Sequence, residues 1–392
     1  MNLYLLFLCL AVFAIGDILG VATKAKLSSV FVALLLFLVG FLTGFFPPDV
    51  IDKAGLSQIA KWASGFIIFH MGTMINLDEL RREWKTVVMS LFAMLVAVVS
   101  IIAVIPLIGK DAAIVSIPIV NGGIIATQIM TEAAMQKGLT LAAALGAIVY
   151  AVQKFVGTPP ASFFGLREAE IILREYRATG GAPAQSAAKA DTPASPVRQS
   201  FLQRNDLDKY YTNFTCLAVT GLFAWLSMEL QKKTGVNYSI WALLAGATVA
   251  QLGIVPERIL DKGKASGLLN MAVFAAIIPS LAKIKVADLV TLSWQTIVIF
   301  AAVLVGTIIF MYLLPTWKFI GSRNLSVGIA MGQLLGFPAT YLIANEIATA
   351  AAQNEGERAA ILKKIMPAYV VAGLASVTTV SIVIAGFFVK FL

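Results

Sequence analysis

Two stretches of this sequence bring polar side chains, unpaired backbone amides and a carboxylate together in otherwise apolar surroundings. The first reads Ser116-Ile-Pro118-Ile-Val-Asn121-Gly122-Gly123-Ile-Ile-Ala-Thr127-Gln128-Ile-Met-Thr131-Glu132. Asn-Gly-Gly is a turn with free backbone N–H groups, and a helix starting behind it presents its N-terminal N–H groups and positive dipole end. That is an anion-binding geometry. On such a helix Thr127 and Thr131, and likewise Gln128 and Glu132, stand at i, i+4 and share a face. The second stretch holds Gly328, Gly332-Gln333, Gly336-Phe-Pro338-Ala-Thr340 and then Asn345-Glu346. The expected chemistry is capture of a small anion by Asn121, Gly122, Gly123, Thr127, Gln128, Gln333, Thr340 and Asn345, with Glu132 and Glu346 handling a cation or proton. The competing explanation is packing: glycines let helices approach, and polar side chains hydrogen-bond between them.

Further charges sit inside apolar runs, where each costs on the order of 3 kcal/mol at mid-bilayer and needs a partner or a job. Lys154 lies beside Gln153 and ahead of Gly157-Thr158-Pro159-Pro160, which breaks or kinks a helix. It is placed either to hold a substrate carboxylate or to pair with Glu132 or Asp17. Asp17 stands between Gly16 and Gly20 in the first apolar run. The single histidine, His70, cannot assemble a multi-histidine metal site and reads as a helix-packing residue or a proton relay. Near the end, Ser376, Thr378, Thr379 and Ser381 can bond their own helix carbonyls, or Thr378 and Thr379 can help coordinate a sodium ion. No cofactor is expected beyond such an ion.

The elements that must position these groups are long apolar helices. Hydrophobic residues make up 59% of the chain and charged residues 13%, with mean hydropathy +0.86, against about a quarter charged in a soluble domain. Runs such as residues 2–21, 29–46, 87–108 and 296–314 approach the roughly 20 residues that cross a bilayer as helix. Met1-Asn2 carries no charge ahead of the first run while Lys24 and Lys26 follow it, the reverse of a cleavable signal peptide. The first helix is therefore expected to be retained, with the N-terminus outside. Cys9 and Cys216 both fall in apolar runs and read as small buried hydrophobes. The formal charge of +9 is scattered at span ends instead of forming a stripe, which points to anionic lipid headgroups and away from nucleic acid.

The one long polar stretch, residues 167–208, is Ala/Pro/Ser/Gly-rich over residues 178–196 and reads as a flexible linker between repeats at 1–166 and 209–392. The halves match segment by segment. Pro48 to Lys53 resembles Pro256 to Lys262, and both precede Ala-Ser-Gly, at Ala63 and Ala265, within a new apolar span. The fifth hydrophobic segments, residues 111–136 and 323–349, are broken by Gly, Pro, Asn and Gln. If they re-enter the membrane, each half crosses five times and the halves are inverted. That arrangement puts Lys24, Lys26, Arg81, Arg82, Lys85, the linker, Arg258, Lys262, Lys264, Lys318, Arg323, Arg358, Lys363 and Lys364 inside, which fits the positive-inside rule better than six crossings per half. The expected fold class is all-α integral membrane, two inverted repeats of five helices, each with a re-entrant hairpin before the fifth.

Asn121-Gly-Gly-Ile-Ile-Ala-Thr-Gln-Ile-Met130 resembles the Asn-Gly-Gly-x-x-Ala-x-x-Met region of the 2-keto-3-deoxygluconate permeases. Phe69-His-Met-Gly72-Thr-Met-Ile-Asn-Leu77 is similar to their Phe-x-Met-Gly-x-x-Ile-x-Leu segment. The layout, over nearly the whole chain, is similar to the sodium/glutamate symporter family, although that family's Gly-Gly-His-Gly-type loop is replaced here by Gly122-Gly123-Ile-Ile and the second loop carries Gly336-Phe-Pro338. The resemblance implies ion-coupled symport of a small organic anion such as glutamate, a dicarboxylate or a sugar acid. It further implies an elevator-like movement against a dimeric scaffold in a bacterial inner membrane, with both termini outside and the linker cytoplasmic. The alternative is a cation/proton antiporter with no organic substrate. An enzyme is not expected, since His-Glu-x-x-His, Gly-x-Ser-x-Gly and P-loop motifs are missing from the sequence.

Overall fold

The computed structural model describes residues 2–22, 29–75, 77–178, 208–337 and 339–392, apart from the side chains of residues 20, 21, 30, 77–79 and 377–379. Every regular element among them is helical. Fifteen helices frame the fold. In the first half they are α1 (Leu3–Ala22), α2 (Ser29–Leu42), α3 (Leu56–Thr73), α4 (Trp84–Ala103), α5 (Lys110–Val120), α6 (Ile124–Gln136) and α7 (Thr140–Ala178). In the second half they are α8 (Asn213–Thr234), α9 (Tyr238–Gln251), α10 (Ser266–Ala275), α11 (Asp288–Thr307), α12 (Arg323–Leu335), α13 (Ala339–Ala351), α14 (Glu355–Leu374) and α15 (Ser381–Phe388). Short one-turn helices and two π-helical turns, Ile308–Leu313 and Ala375–Val380, fill the joints.

Among the described residues, five helical stretches are long and apolar enough to cross a membrane: Trp84–Ala103, Thr140–Ala178, Asn213–Thr234, Ser266–Lys283 and Asp288–Leu313. The 39 residues of α7 rise about 58 Å, roughly twice a hydrocarbon core, so its charged end from Arg167 projects beyond one. Residues 167–178 of the expected linker are thus helical. The cause is apolar: Ala169, Ile172 and Leu173 continue at helical spacing and are buried. The remainder of the linker, residues 179–207, lies outside the described residues.

The helices form two groups. In one, α3 packs against α8, α9 and α10, with α1 on α2 alongside. Its tightest crossing is α3 on α9, where a Cβ on Gly72 would meet the Leu243 carbonyl oxygen at 2.4 Å and one on Gly246 the Phe69 carbonyl oxygen at 2.2 Å. Only glycine at both positions permits that approach, as small residues do between membrane helices. In the other group α7 is central and touches α5, α6, α11, α12, α13 and α14, while α15 lies on α5 and α6. His70 joins the halves within the first group. Its Nδ1 accepts the Leu260 N–H at 3.2 Å and its Nε2 lies 3.8 Å from Asp261, so it serves as a packing residue there. Cys9 and Cys216 are buried and free.

Candidate functional site

The first polar stretch folds as two short helices, α5 and α6, joined by a turn at Asn121–Gly123. Local chemistry makes this break. Pro118 has no N–H for the Ile114 carbonyl, which weakens the last turn of α5. The Asn121 Nδ2 donates to the Ile117 carbonyl at 2.9 Å and closes the helix end. Gly123, extended, opens α6 without a side-chain cap, so no capping side chain takes up the first N–H groups of α6. The second polar stretch breaks at Gly336, whose φ of +67° is a left-handed backbone that glycine adopts without strain. Its tip residue Pro338 lies outside the described residues.

Both tips converge on the middle of α7 and on the joint between α14 and α15. Gln153 of α7 donates from Nε2 to the Gly122 carbonyl at 3.0 Å. One turn on, Gly157 faces Leu334 and Leu335 at the end of α12. On the opposite side, a Cβ on Gly122 would meet Ser381 Cβ at 2.5 Å, and one on Gly373 would meet Thr340 Oγ1 at 2.5 Å. Between Gly373 and Ser381 runs the π-helical turn Ala375–Val380, an arrangement frequent at functional sites because it displaces backbone carbonyls from the helix ladder.

Polar atoms without partners concentrate here. Ser116 Oγ, Asn121 Oδ1, Gln153 Oε1, both amide atoms of Gln333 and Thr340 Oγ1 are buried with no hydrogen-bond partner among the described residues. Leaving such an atom unpaired costs about 1–3 kcal/mol, and a cluster of them is the arrangement that a polar ligand satisfies. No family model and no curated protein matches the chain.

The sequence-nominated residues divide. Asn121, Gly122, Gly123, Thr127, Gln333 and Thr340 belong to the two tips and the helical turns that flank them, with Thr127 Oγ1 spent on the Gly123 carbonyl at 3.0 Å. Gln128 and Glu132 share a face, as their spacing implies, but that face turns away from the tips. Gln128 Nε2 donates to Ser64 Oγ of α3 at 2.5 Å and to Glu132 Oε1 at 3.0 Å. Asn345 and Glu346 sit well along α13, where Asn345 bonds the Tyr341 carbonyl and receives Arg358 at 3.4 Å, and Glu346 is exposed. Lys154 is half-buried and no acid among the described residues pairs with it, neither Glu132 nor the exposed Asp17. The side chains of Thr378 and Thr379 lie outside the described residues; their backbone forms the π-helical turn. Among the described residues no cluster of His, Cys, Asp and Glu suits a metal ion.

Gln153 of α7, bonded to the first tip, and Ser116 of α5 stand in the sequence beside the nominated residues but were not nominated as binding groups themselves. The available signal was an amide beside a lysine within an apolar run. Glu168 was also passed over. It is fully buried, 3.2 Å from Lys364 Nζ and bonded by the Ser322 hydroxyl that caps α12. Nine residues further along α7, Arg177 grips Glu357 at the start of α14 with bonds of 2.7 and 3.1 Å. That bidentate guanidinium, with the Gln353 N–H at 2.8 Å, holds the Glu357 carboxyl below the usual carboxylate range. The two ion pairs fasten α7 to α14 at the base of the α12–α13 unit.

Proposed function

We propose that this chain is a secondary active transporter of a small organic anion, coupled to sodium or protons, whose site lies between the two helical tips. The supporting observation is the convergence of Asn121, Gln153, Gln333 and Thr340, with their unpaired buried atoms, on the middle of α7 and the π-helical turn. In lipid, broken backbone survives only where it is buried in protein or lines a cavity. Two such breaks at corresponding places in two halves are what an inverted-repeat transporter needs to expose one site alternately to either side. On this reading α5–α6 and α12–α13 are re-entrant hairpins, each half crosses a bacterial inner membrane five times, and both termini are outside with the linker cytoplasmic. Symport by an elevator-like movement sets the α7 group against the α3 group, and the latter carries the homodimer contact.

The amides and hydroxyls of the site donate and accept equally well, so the substrate's charge is met by the N-terminal N–H groups of α6 and by Lys154, the neighbour of Gln153, which no acid among the described residues pairs with. The test is thermal stabilisation of purified protein by dicarboxylates, amino acids and sugar acids, with and without sodium, in wild type and Lys154→Met. The expected result is stabilisation by one class of organic anion, lost in Lys154→Met without loss of basal stability. Stabilisation by sodium or protons alone would replace this reading with the cation/proton antiporter.

A further inference from the structure

A second polar cluster lies away from the tips, at the boundary between α6 and the α3–α9 pair. Gln128 is almost completely buried, and its Nε2 bridges Ser64 Oγ and Glu132 Oε1. Ser64 in turn donates to the Ala60 carbonyl at 3.0 Å and faces the Tyr238 hydroxyl, while Lys61 acts electrostatically on Glu132. The two helix groups therefore meet here through side chains of α6, α3 and α9. Gln128 Oε1 is buried with no donor among the described residues.

We infer that Glu132 is a proton-binding site at the sliding boundary, and that its protonation is what releases α6 from α3 and α9. The inference rests on the transporter reading above and assigns the place of its coupling ion. As an anion, Glu132 is anchored by the Gln128 amide and the nearby Lys61. Beyond Ser64, α3 reads Gly65-Phe66-Ile67-Ile68-Phe69 and offers no side-chain donor before His70, which is committed to Leu260 and Asp261. A carboxylate cannot travel along that face without heavy desolvation; a carboxylic acid can. The proton comes from the outer aqueous phase, joins a carboxylate oxygen and creates an O–H donor. Gln128 Oε1 is the waiting acceptor once the amide turns over. The cluster suits a proton better than a sodium ion, because the amide nitrogen occupies its centre and Lys61 already supplies a positive charge. Lys61 on α3 and Tyr238 on α9 are the ionisable groups facing Glu132. Helices α10 and α15 contain none, α5 has only Lys110 and Asp111 in its first turn, and residues 140–149 of α7 have none. Lys137 ends beside the carbonyl of Leu392, next to Lys390 on the terminal turn.

Hydrogen–deuterium exchange of the purified full chain, corrected for intrinsic rates, tests this without any organic substrate. Between about pH 8 and about pH 4, across and above the ordinary Glu range, peptides covering α6 and the first half of α3 should gain exchange. The gain should be roughly tenfold for each unit by which the Glu132 pKa differs between the docked and released conformations. Glu132→Gln should exchange at every pH as the acidified wild type does, and Glu132→Asp should keep a titration. A wild-type profile that ignores pH would overturn the inference, as would an unchanged profile in Glu132→Gln or a release driven by sodium at fixed pH. Should Glu132→Gln fail to fold, Ser64→Ala removes the anchor on α3 and should raise exchange at neutral pH; unchanged exchange there counts against the inference. Carboxylate stabilisation of the protein is read separately, so loss of the substrate reading and loss of this site are distinguishable.

Discussion

Replacing Gln153 with leucine isolates one contact of the proposed site. The side chain is 2% exposed, its Nε2 donates to the Gly122 carbonyl at 3.0 Å and its Oε1 has no partner among the described residues. Leucine keeps the approximate volume and removes both polar atoms. The Gly122 carbonyl is then buried without its donor, which costs about 1–3 kcal/mol unless the tip relaxes to find another. For the ligand, loss of the free Oε1 removes one hydrogen bond, about 0.5–1.5 kcal/mol to a neutral donor. Distortion of the tip adds to that, so the organic anion that stabilises wild type should bind at least about tenfold more weakly, the equivalent of about 1.4 kcal/mol. Calorimetric titration of wild type and Gln153→Leu in the same detergent, alongside their thermal unfolding, measures both effects. Wild-type affinity in a fully folded Gln153→Leu protein would refute the reasoning, because a residue that bridges tip and α7 cannot be absent without consequence if the tip forms the site.

The close approaches give a graded set of substitutions. Gly122→Ala and Gly373→Ala should each lower stability by about 1–3 kcal/mol, since their new methyl groups would lie 2.5 Å from Ser381 and Thr340 and within about 3 Å of backbone atoms. Gly267→Ala, with nothing within 4 Å, should be neutral or gain up to about 1 kcal/mol of helix propensity; denaturant titration ranks the three, and equal effects at all would contradict the packing. The Glu357–Arg177 pair predicts acid sensitivity. Because the folded carboxyl is held below its unfolded value of about 4.3, its stabilisation is complete above that value and is lost as pH falls through the folded pKa. Thermal unfolding followed from about pH 6 to about pH 3 should therefore show a loss in wild type that is reduced in Glu357→Gln, whose stability starts lower at neutral pH.

Much of the architecture was legible in the residues. Apolar runs near 20 residues announce helices because an apolar environment leaves the backbone no other partner, and Pro118, Asn121-Gly122-Gly123 and Gly336 announce breaks because their effects on φ and on N–H donors are local. The i, i+4 relation of Gln128 and Glu132 follows from helix geometry alone, and the structure keeps it. What spacing does not encode is the direction in which a shared face points. That depends on helices far away in sequence: α7 brings Gln153 to one tip and Gly157 to the other, and the α14–α15 joint seats Ser381 and Gly373 against them. The same packing turned Gln128 and Glu132 toward Ser64 and Tyr238, left Asn345 and Glu346 along the outer helix, and drew Glu168 out of an apparent linker into a buried ion pair. The sequence by itself determined the apolar helical runs and where Pro118, Asn121-Gly122-Gly123 and Gly336 break them, since those are contests between neighbouring atoms, but not the extension of α7 through residues 167–178. Only the tertiary structure decided which polar groups meet, since that is settled by the close packing of helices whose mutual positions no local preference specifies.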